Sequence, residues 1–223
     1  MVSASIKSSE IRFGECNKKL LEEVIFYGIS LGADFVELFI ENSDNSSVLA
    51  EEDFITNVSP SFSKGAGIRI FKDKRDGFVS TNDLSKHGLM RSISQAIEML
   101  DISKKTNKLI FNGLEKLKDY SKSKINWLNE VPTINEVSEK LLLSTKSLKK
   151  DKKVAVRKGS YARNWQEVII ASSDGTYATD IRLHQTVGLN IIANDAQYRS
   201  NGSRRFGSHG IPNEFRLWDH EKA

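Results

Sequence analysis

Four histidines, one cysteine and a pair of adjacent arginines are the residues whose types could carry chemistry in this chain. Water activation by a bound metal needs clustered ligands and a carboxylate base. On a helix the two histidines stand three or four positions apart, with a glutamate beside the first. His87, His184, His209 and His220 include no such pair. His220-Glu221 begins the pattern, but its partner would fall beyond Ala223. A complete metal centre is therefore not expected within these residues. His87 reads as the start of a helix. His184, alternating with Leu183, reads as a strand residue facing the surface or a groove.

Other chemistries fit no better. Ser208, His209 and Asp219 could be written as a triad, but a triad is recognised by geometry and Ser208 lies in no Gly-x-Ser-x-Gly pattern. Cys16 stands alone, so no intrachain disulfide can form, and no nearby group marks it as a nucleophile. Gly65-Ala66-Gly67 resembles a phosphate cradle only superficially. A strand rather than a helix follows it, and the third glycine is missing. Those glycines read instead as positive-φ or close-packing positions at a strand entrance. Arg204 and Arg205, in a Gly/Ser-rich stretch read as a loop over 201–210, could hold a carboxylate or phosphate bidentately. They are the candidate substrate-binding residues. The acidic run Glu51–Asp53 reads as a solvated strand or turn.

The elements that must position these residues follow from periodicity. Leu20, Leu21, Val24 and Ile25 predict a helix over about 17–31, ended by Gly28 or Gly32. Val36, Leu38 and Ile40 alternate with Phe35 and Phe39, which predicts a strand inside a sheet. A turn over 42–47 and a second strand over 48–58 follow. Residues 65–80 predict a β-hairpin with a charged tip at Lys72 to Asp76. Asp83 or Ser85 caps a helix running to about 101. The first hundred residues thus read α-β-β-β-β-α. Residues 103–131 are aperiodic. Thr133 and Glu136 form a capping box for a further helix. Short strands over 154–156, 167–172, 177–186 and 187–193 complete the pattern, with turns at Asp174-Gly175 and Asn194-Asp195. The odd-numbered apolar face of Ile181 to Ile191 is interrupted at Gln185.

The expected class is α+β: a largely antiparallel sheet with helices packed on one face, followed by a β-meander. The expected organisation is a helix and hairpin region over 1–102, a basic linker over 103–131, and a helix plus meander over 132–223.

Composition sets the outer bounds. The chain has 223 residues, 39% hydrophobic and 28% charged, which suffices for a buried core. No apolar run reaches the ~20 residues of a membrane helix, no secretory leader is evident, and a cytoplasmic protein is expected. The net charge is +4, from 33 basic and 29 acidic residues. Lysines cluster over 104–124 and 146–158. A nucleic-acid binder would interleave aromatics for stacking, and only Tyr120 and Trp127 lie near. Nucleic acid is not the expected partner, nor is a membrane.

Three blocks carry a resemblance: GADFVELFIENSDNSSVLAEEDFITNVS at 32–59, KGAGIRIFKDKRDGFVSTNDLS at 64–85, and EVIIASSDGTYATDIRLHQTVGLNIIANDAQYRSNGSRRFG at 167–207. Together they resemble the N-terminal domain of the TldD/PmbA proteins, labelled modulators of DNA gyrase and understood as zinc metallopeptidases, and they lean to the TldD branch. The resemblance implies an N-terminal, non-catalytic domain acting in proteolysis of unfolded peptides, through substrate enclosure or dimer assembly. It implies a peptide substrate and a homodimer or a heterodimer with a TldD/PmbA-type subunit. It places zinc on a His-Glu-x-x-x-His motif in a C-terminal domain, a motif this sequence lacks, so no cofactor and no catalytic residue are expected here. Residues 218–223 would begin the helix leading to that domain. A stand-alone interaction module and a basic nucleic-acid-binding protein are the alternative readings.

Overall fold

The computed structural model describes residues 13, 16–100, 111–116, 131–149, 151–195 and 197–209. Ten elements occur among them: α1 (Lys18–Ser30), β1 (Phe35–Glu51), β2 (Phe54–Lys72), β3 (Arg75–Thr81), α2 (Lys86–Met99), β4 (Glu115–Lys116), α3 (Ile134–Ser147), β5 (Val154–Ser172), β6 (Thr176–Asp195) and β7 (Tyr198–His209). The strands form one sheet in the order β3-β2-β1-β5-β6-β4, with β7 also paired to β6. The class is α+β, as the periodicity predicts. One pair departs from the antiparallel pattern: β4 runs parallel to β6, with Glu115 opposite Thr176.

By packing, the chain divides into two compact units, each drawn from separated stretches of sequence. The first comprises 1–43, 63–121 and 167–181. Its core joins Leu21, Val24 and Ile25 of α1 and Leu89, Ile93 and Ala96 of α2 to the even-numbered faces of β1 and β2, Val36 to Ile40 and Ile68 to Ile70. Each fully buried Ile or Leu contributes roughly 1.5–3 kcal/mol of transfer free energy. The ends of the helices are fixed as their sequences predict. Asn17 accepts from the Leu20 amide at 3.0 Å, and Gly32 turns the chain out of α1 with φ +102°. Gly28 lies buried inside α1 and does not end it. Ser85 rather than Asp83 caps α2.

The hairpin β2–β3 closes on Asp73 and Lys74, both at positive φ, as a two-residue hairpin loop requires. Lys72, buried, reaches the Asp34 carboxylate at 2.8 Å, and that carboxylate also accepts from the Asp73 amide at 3.0 Å. The glycines ahead of the tip sit within β2 and do not begin it, because β2 starts at Phe54. Neither has positive φ. Gly65 serves close approach: a Cβ there would lie 2.9 Å from the Thr81 carbonyl oxygen.

The second unit comprises 44–62, 122–166 and 182–223. Val137 and Leu141 of α3 pack on Val48, Ala50, Tyr161 and Val187. Thr133 and Glu136 form the predicted capping box. The helix seats directly on Gly159, where a Cβ would meet Leu141 Cδ1 at 2.9 Å and Thr145 Cγ2 at 3.0 Å. Gln185 interrupts the apolar face of β6 for a reason. Its Oε1 accepts from the buried Tyr161 hydroxyl at 2.9 Å, and burial pushes the Tyr161 pKa up to about 12.

Three strand boundaries differ from the sequence reading. The Asn/Ser/Asp-rich stretch 42–47 is strand, not turn; Ser43 and Ser46 are buried within β1, which gives three strands between α1 and α2 where four were expected. The real reversal is at Glu52 and Asp53, with Glu52 at φ +54°. The four short strands of the last third are two long ones, β5 and β6. The stretch 201–210 is not a loop: residues through His209 form β7, paired with β6 from Asp195↔Tyr198 to His184↔His209. Its glycines and serines suggested flexibility, but a sheet edge tolerates them when a long partner strand supplies the ladder.

Candidate functional site

Consecutive strand residues point to opposite faces. Gly159 lies under α3, so Ser160 and Lys158 face away from that helix. On this open face Glu51, Thr56, Lys158, Ser160, Gly188 and Arg205 line a trough of about 650 Å3, with Leu49, Asn190 and Arg204 also on its wall. All of its lining belongs to the second unit. Here the structure places the two arginines singled out from sequence.

Arg205 stands opposite Gly188 and Arg204 opposite Leu189 across the β6–β7 ladder. A Cβ at position 188 would lie 2.7 Å from Ser160 Oγ and 3.9 Å from Arg205 Nε, so glycine there keeps the trough floor open beneath the guanidinium. Ser160 Oγ donates to the Gly188 carbonyl at 3.4 Å. Arg204 lies over the Phe206 ring, its guanidinium carbon 5.0 Å from the centroid, a cation–π contact that orients it along β7. As neighbours on a strand, the two arginines diverge; they do not form one bidentate fork as a flexible loop would allow. Lys158 pairs with Glu51 at 3.3 Å. Lys158 and Arg205 against the Glu51 carboxylate leave the lining electropositive, which suits an anionic group on an extended ligand.

Behind the trough, the β1–β2 turn is pinned by a buried cation. Arg157 is only 3% exposed. Its backbone amide donates to Glu52 Oε1 at 2.9 Å, its Nε to Glu52 Oε2 at 2.9 Å, and its Nη1 to the Thr145 carbonyl at 3.2 Å. Asp53 lies 3.5 Å from Nη1. These bonds, led by the Arg157 amide, hold the Glu52 carboxyl below its usual range. The acidic run is therefore a clasp and not only a solvated turn. Sequence reasoning missed it because its partner lies about a hundred residues away.

The other candidates are dispersed. Cys16 is buried, and burial raises its thiol pKa to about 11, which leaves no thiolate at neutral pH. His87 is the second residue of α2. Ser208 and His209 are neighbours on β7, while Asp219 and His220 lie outside the described residues. Gly65 and Gly67 bear no relation to a helix N-terminus. His184 and His209, 25 residues apart in sequence, meet across the ladder with their Nδ1 atoms 3.2 Å apart.

Comparison with known proteins agrees with this architecture. Residues 36–100 match the sequence profile of PmbA/TldA metallopeptidase domain 1, and residues 127–222 that of the PmbA/TldA metallopeptidase central domain. The chain belongs to the PmbA/TldD family. It is 24% identical over 187 residues to a metalloprotease TldD homologue of Haemophilus influenzae, covering 82% of this chain and 37% of that protein. A Buchnera aphidicola TldD homologue is 23% identical over 185 residues, covering 78% and 36%. The chain thus spans little more than a third of the length of the curated relatives it matches. TldE of Thermococcus kodakarensis shares the fold with TM-score 0.68 and 21% identity, over 84% of this chain and 42% of that one. A Thermotoga maritima protein described as a modulator of DNA gyrase does so with TM-score 0.69 and 14% identity, over 92% and 45%. Likeness runs to TldD and TldE proteins alike, and no branch is assigned.

The curated relatives are named metalloproteases, which implies a metal ion, zinc by the resemblance drawn from the sequence. The residues here do not fit it. The sequence has no His-Glu-x-x-x-His segment, and no group of three or more His, Cys, Asp or Glu that could hold a metal occurs among the described residues. No helix among the described residues is long and apolar enough to cross a membrane.

Proposed function

We propose that this chain is the N-terminal, non-catalytic domain of a TldD/PmbA-type metallopeptidase, regions 1–102 and 132–223 together completing it, and that it helps enclose an unfolded peptide. The observation that carries the reading is the electropositive trough beside β7. Among the described residues β7 pairs only with β6. An extended peptide can add to such an edge through main-chain hydrogen bonds, with side chains or a terminal carboxylate received by Arg204, Arg205 and Lys158. The zinc and the water it would activate belong, in this reading, to a further domain of the peptidase.

The test is binding of a fluorescent, unstructured peptide with a free carboxyl terminus. Arg204→Ala with Arg205→Ala should weaken binding about tenfold or more, since a hydrogen bond to a charged group contributes about 1.5–3 kcal/mol. Unchanged affinity would remove the arginines from the site.

A second reading, assembly with a family subunit, is favoured by one observation. Phe54, Val58 and Phe62 share one face of β2, and Phe54 and Phe62 are 72% and 75% exposed. Such a row commonly marks an interaction surface. Sedimentation of the chain with a TldD/PmbA-type subunit should show a complex that Phe54→Ser with Phe62→Ser abolishes. Co-sedimentation that the double variant leaves intact would exclude this face.

A further inference from the structure

We infer that His184 and His209 form a two-ligand site for a divalent transition metal, clipping the open ends of β6 and β7. The two residues are direct partners at the last described step of the ladder. Their Nδ1 atoms are 3.2 Å apart. Two imidazole nitrogens bound to one ion at about 2.1 Å and separated by that distance subtend an angle of about 100°, between octahedral and tetrahedral values. The ring geometry matters equally. The ring centroids are 4.3 Å apart and the planes tilt by 44°. The centroids are thus only 1.1 Å further apart than the nitrogens (4.3 less 3.2). The two Nδ1 atoms are within hydrogen-bond distance of each other, so a metal ion bound to both would take the place of the proton they share.

Without metal, one ring must donate its Nδ1 proton to the other, so the pair holds at most one proton there. Arg182 is the adverse charge, and its Nη1 donates to Gln166 Oε1 at 3.3 Å. Both histidines are exposed and neither lies in the trough. With two protein ligands and no base, the site binds metal without the arrangement hydrolysis requires. Imidazole pairs favour Cu2+, Ni2+ and Zn2+ over Mg2+ and Ca2+. This inference does not depend on the peptide-binding proposal.

Calorimetric titration of the full chain with Ni2+ and with Zn2+ at pH 7.5 tests it. The expected result is one site per chain, with His184→Ala and His209→Ala each losing at least ~10-fold in affinity, because either change removes the intramolecular second ligand, and the double variant binding no more tightly than either. Bound metal should also raise the melting temperature, and only when both histidines are present. Wild-type affinity in the double variant would overturn the site. So would a single variant that binds as tightly as wild type, since one imidazole would then suffice.

Discussion

Arg157 shows how a single residue sets the local chemistry. A guanidinium buried at 3% exposure needs its charge answered, and Glu52 answers it from a turn position with φ +54°. Glu52→Gln should cost about 1 kcal/mol at neutral pH, below the usual value for a charged hydrogen bond because the carboxylate is partly exposed. The pH dependence has a defined sign. The folded Glu52 pKa is lowered, so its contribution is complete above its ordinary value of 4.5 and lost as pH falls through the lowered folded value. Urea midpoints of wild type and Glu52→Gln should differ at pH 7 and converge under acid. A gap that persists at acid pH would contradict the clasp. At this scale the sequence was partly legible. Arg204 and Arg205 stood out because arginine beside glycine is conspicuous. Glu52 did not, because an acidic run at a turn looks the same whether or not a distant arginine folds onto it. The histidine pair was equally hidden. Nothing local to His184 or His209 announces a partner until the hairpin register is known.

At the scale of elements, helix ends were legible and strand lengths were not. Asn17, Ser85 and Thr133 are capping residues that act within three positions, so their signal is contained in the segment itself. Thr133→Ala should therefore cost about 1 kcal/mol by thermal melting. Strand continuity instead depends on neighbours. The polar stretch 42–47 extends because β2 and β5 flank β1, and 201–209 extends because β6 runs the whole way beside it. Gly159 exposes the same dependence from the other side. Adding one methyl there forces α3 off the sheet, so Gly159→Ala should destabilise by about 1–3 kcal/mol. The β2–β3 turn offers the opposite change. Asp73→Asn with Lys74→Gly relieves two left-handed residues and should stabilise by about 1 kcal/mol, read as a higher urea midpoint.

At the scale of the molecule, fold class and family membership followed from patterns spread over three blocks, while the packing units did not. Each unit gathers stretches separated by dozens of residues, and periodicity within a window carries no record of which stretch meets which. The trough is a product of that gathering: β1, β2, β5, β6 and β7 each supply part of its wall. In the proposed function an extended peptide lies along this wall and adds to β7. Backbone amide exchange, followed with and without a saturating unstructured peptide, tests it directly. Slowed exchange is expected to concentrate in residues 198–209 and to be lost when Arg204 and Arg205 are both alanine. Exchange in β7 that the peptide leaves unchanged, with protection confined to other elements, would contradict it.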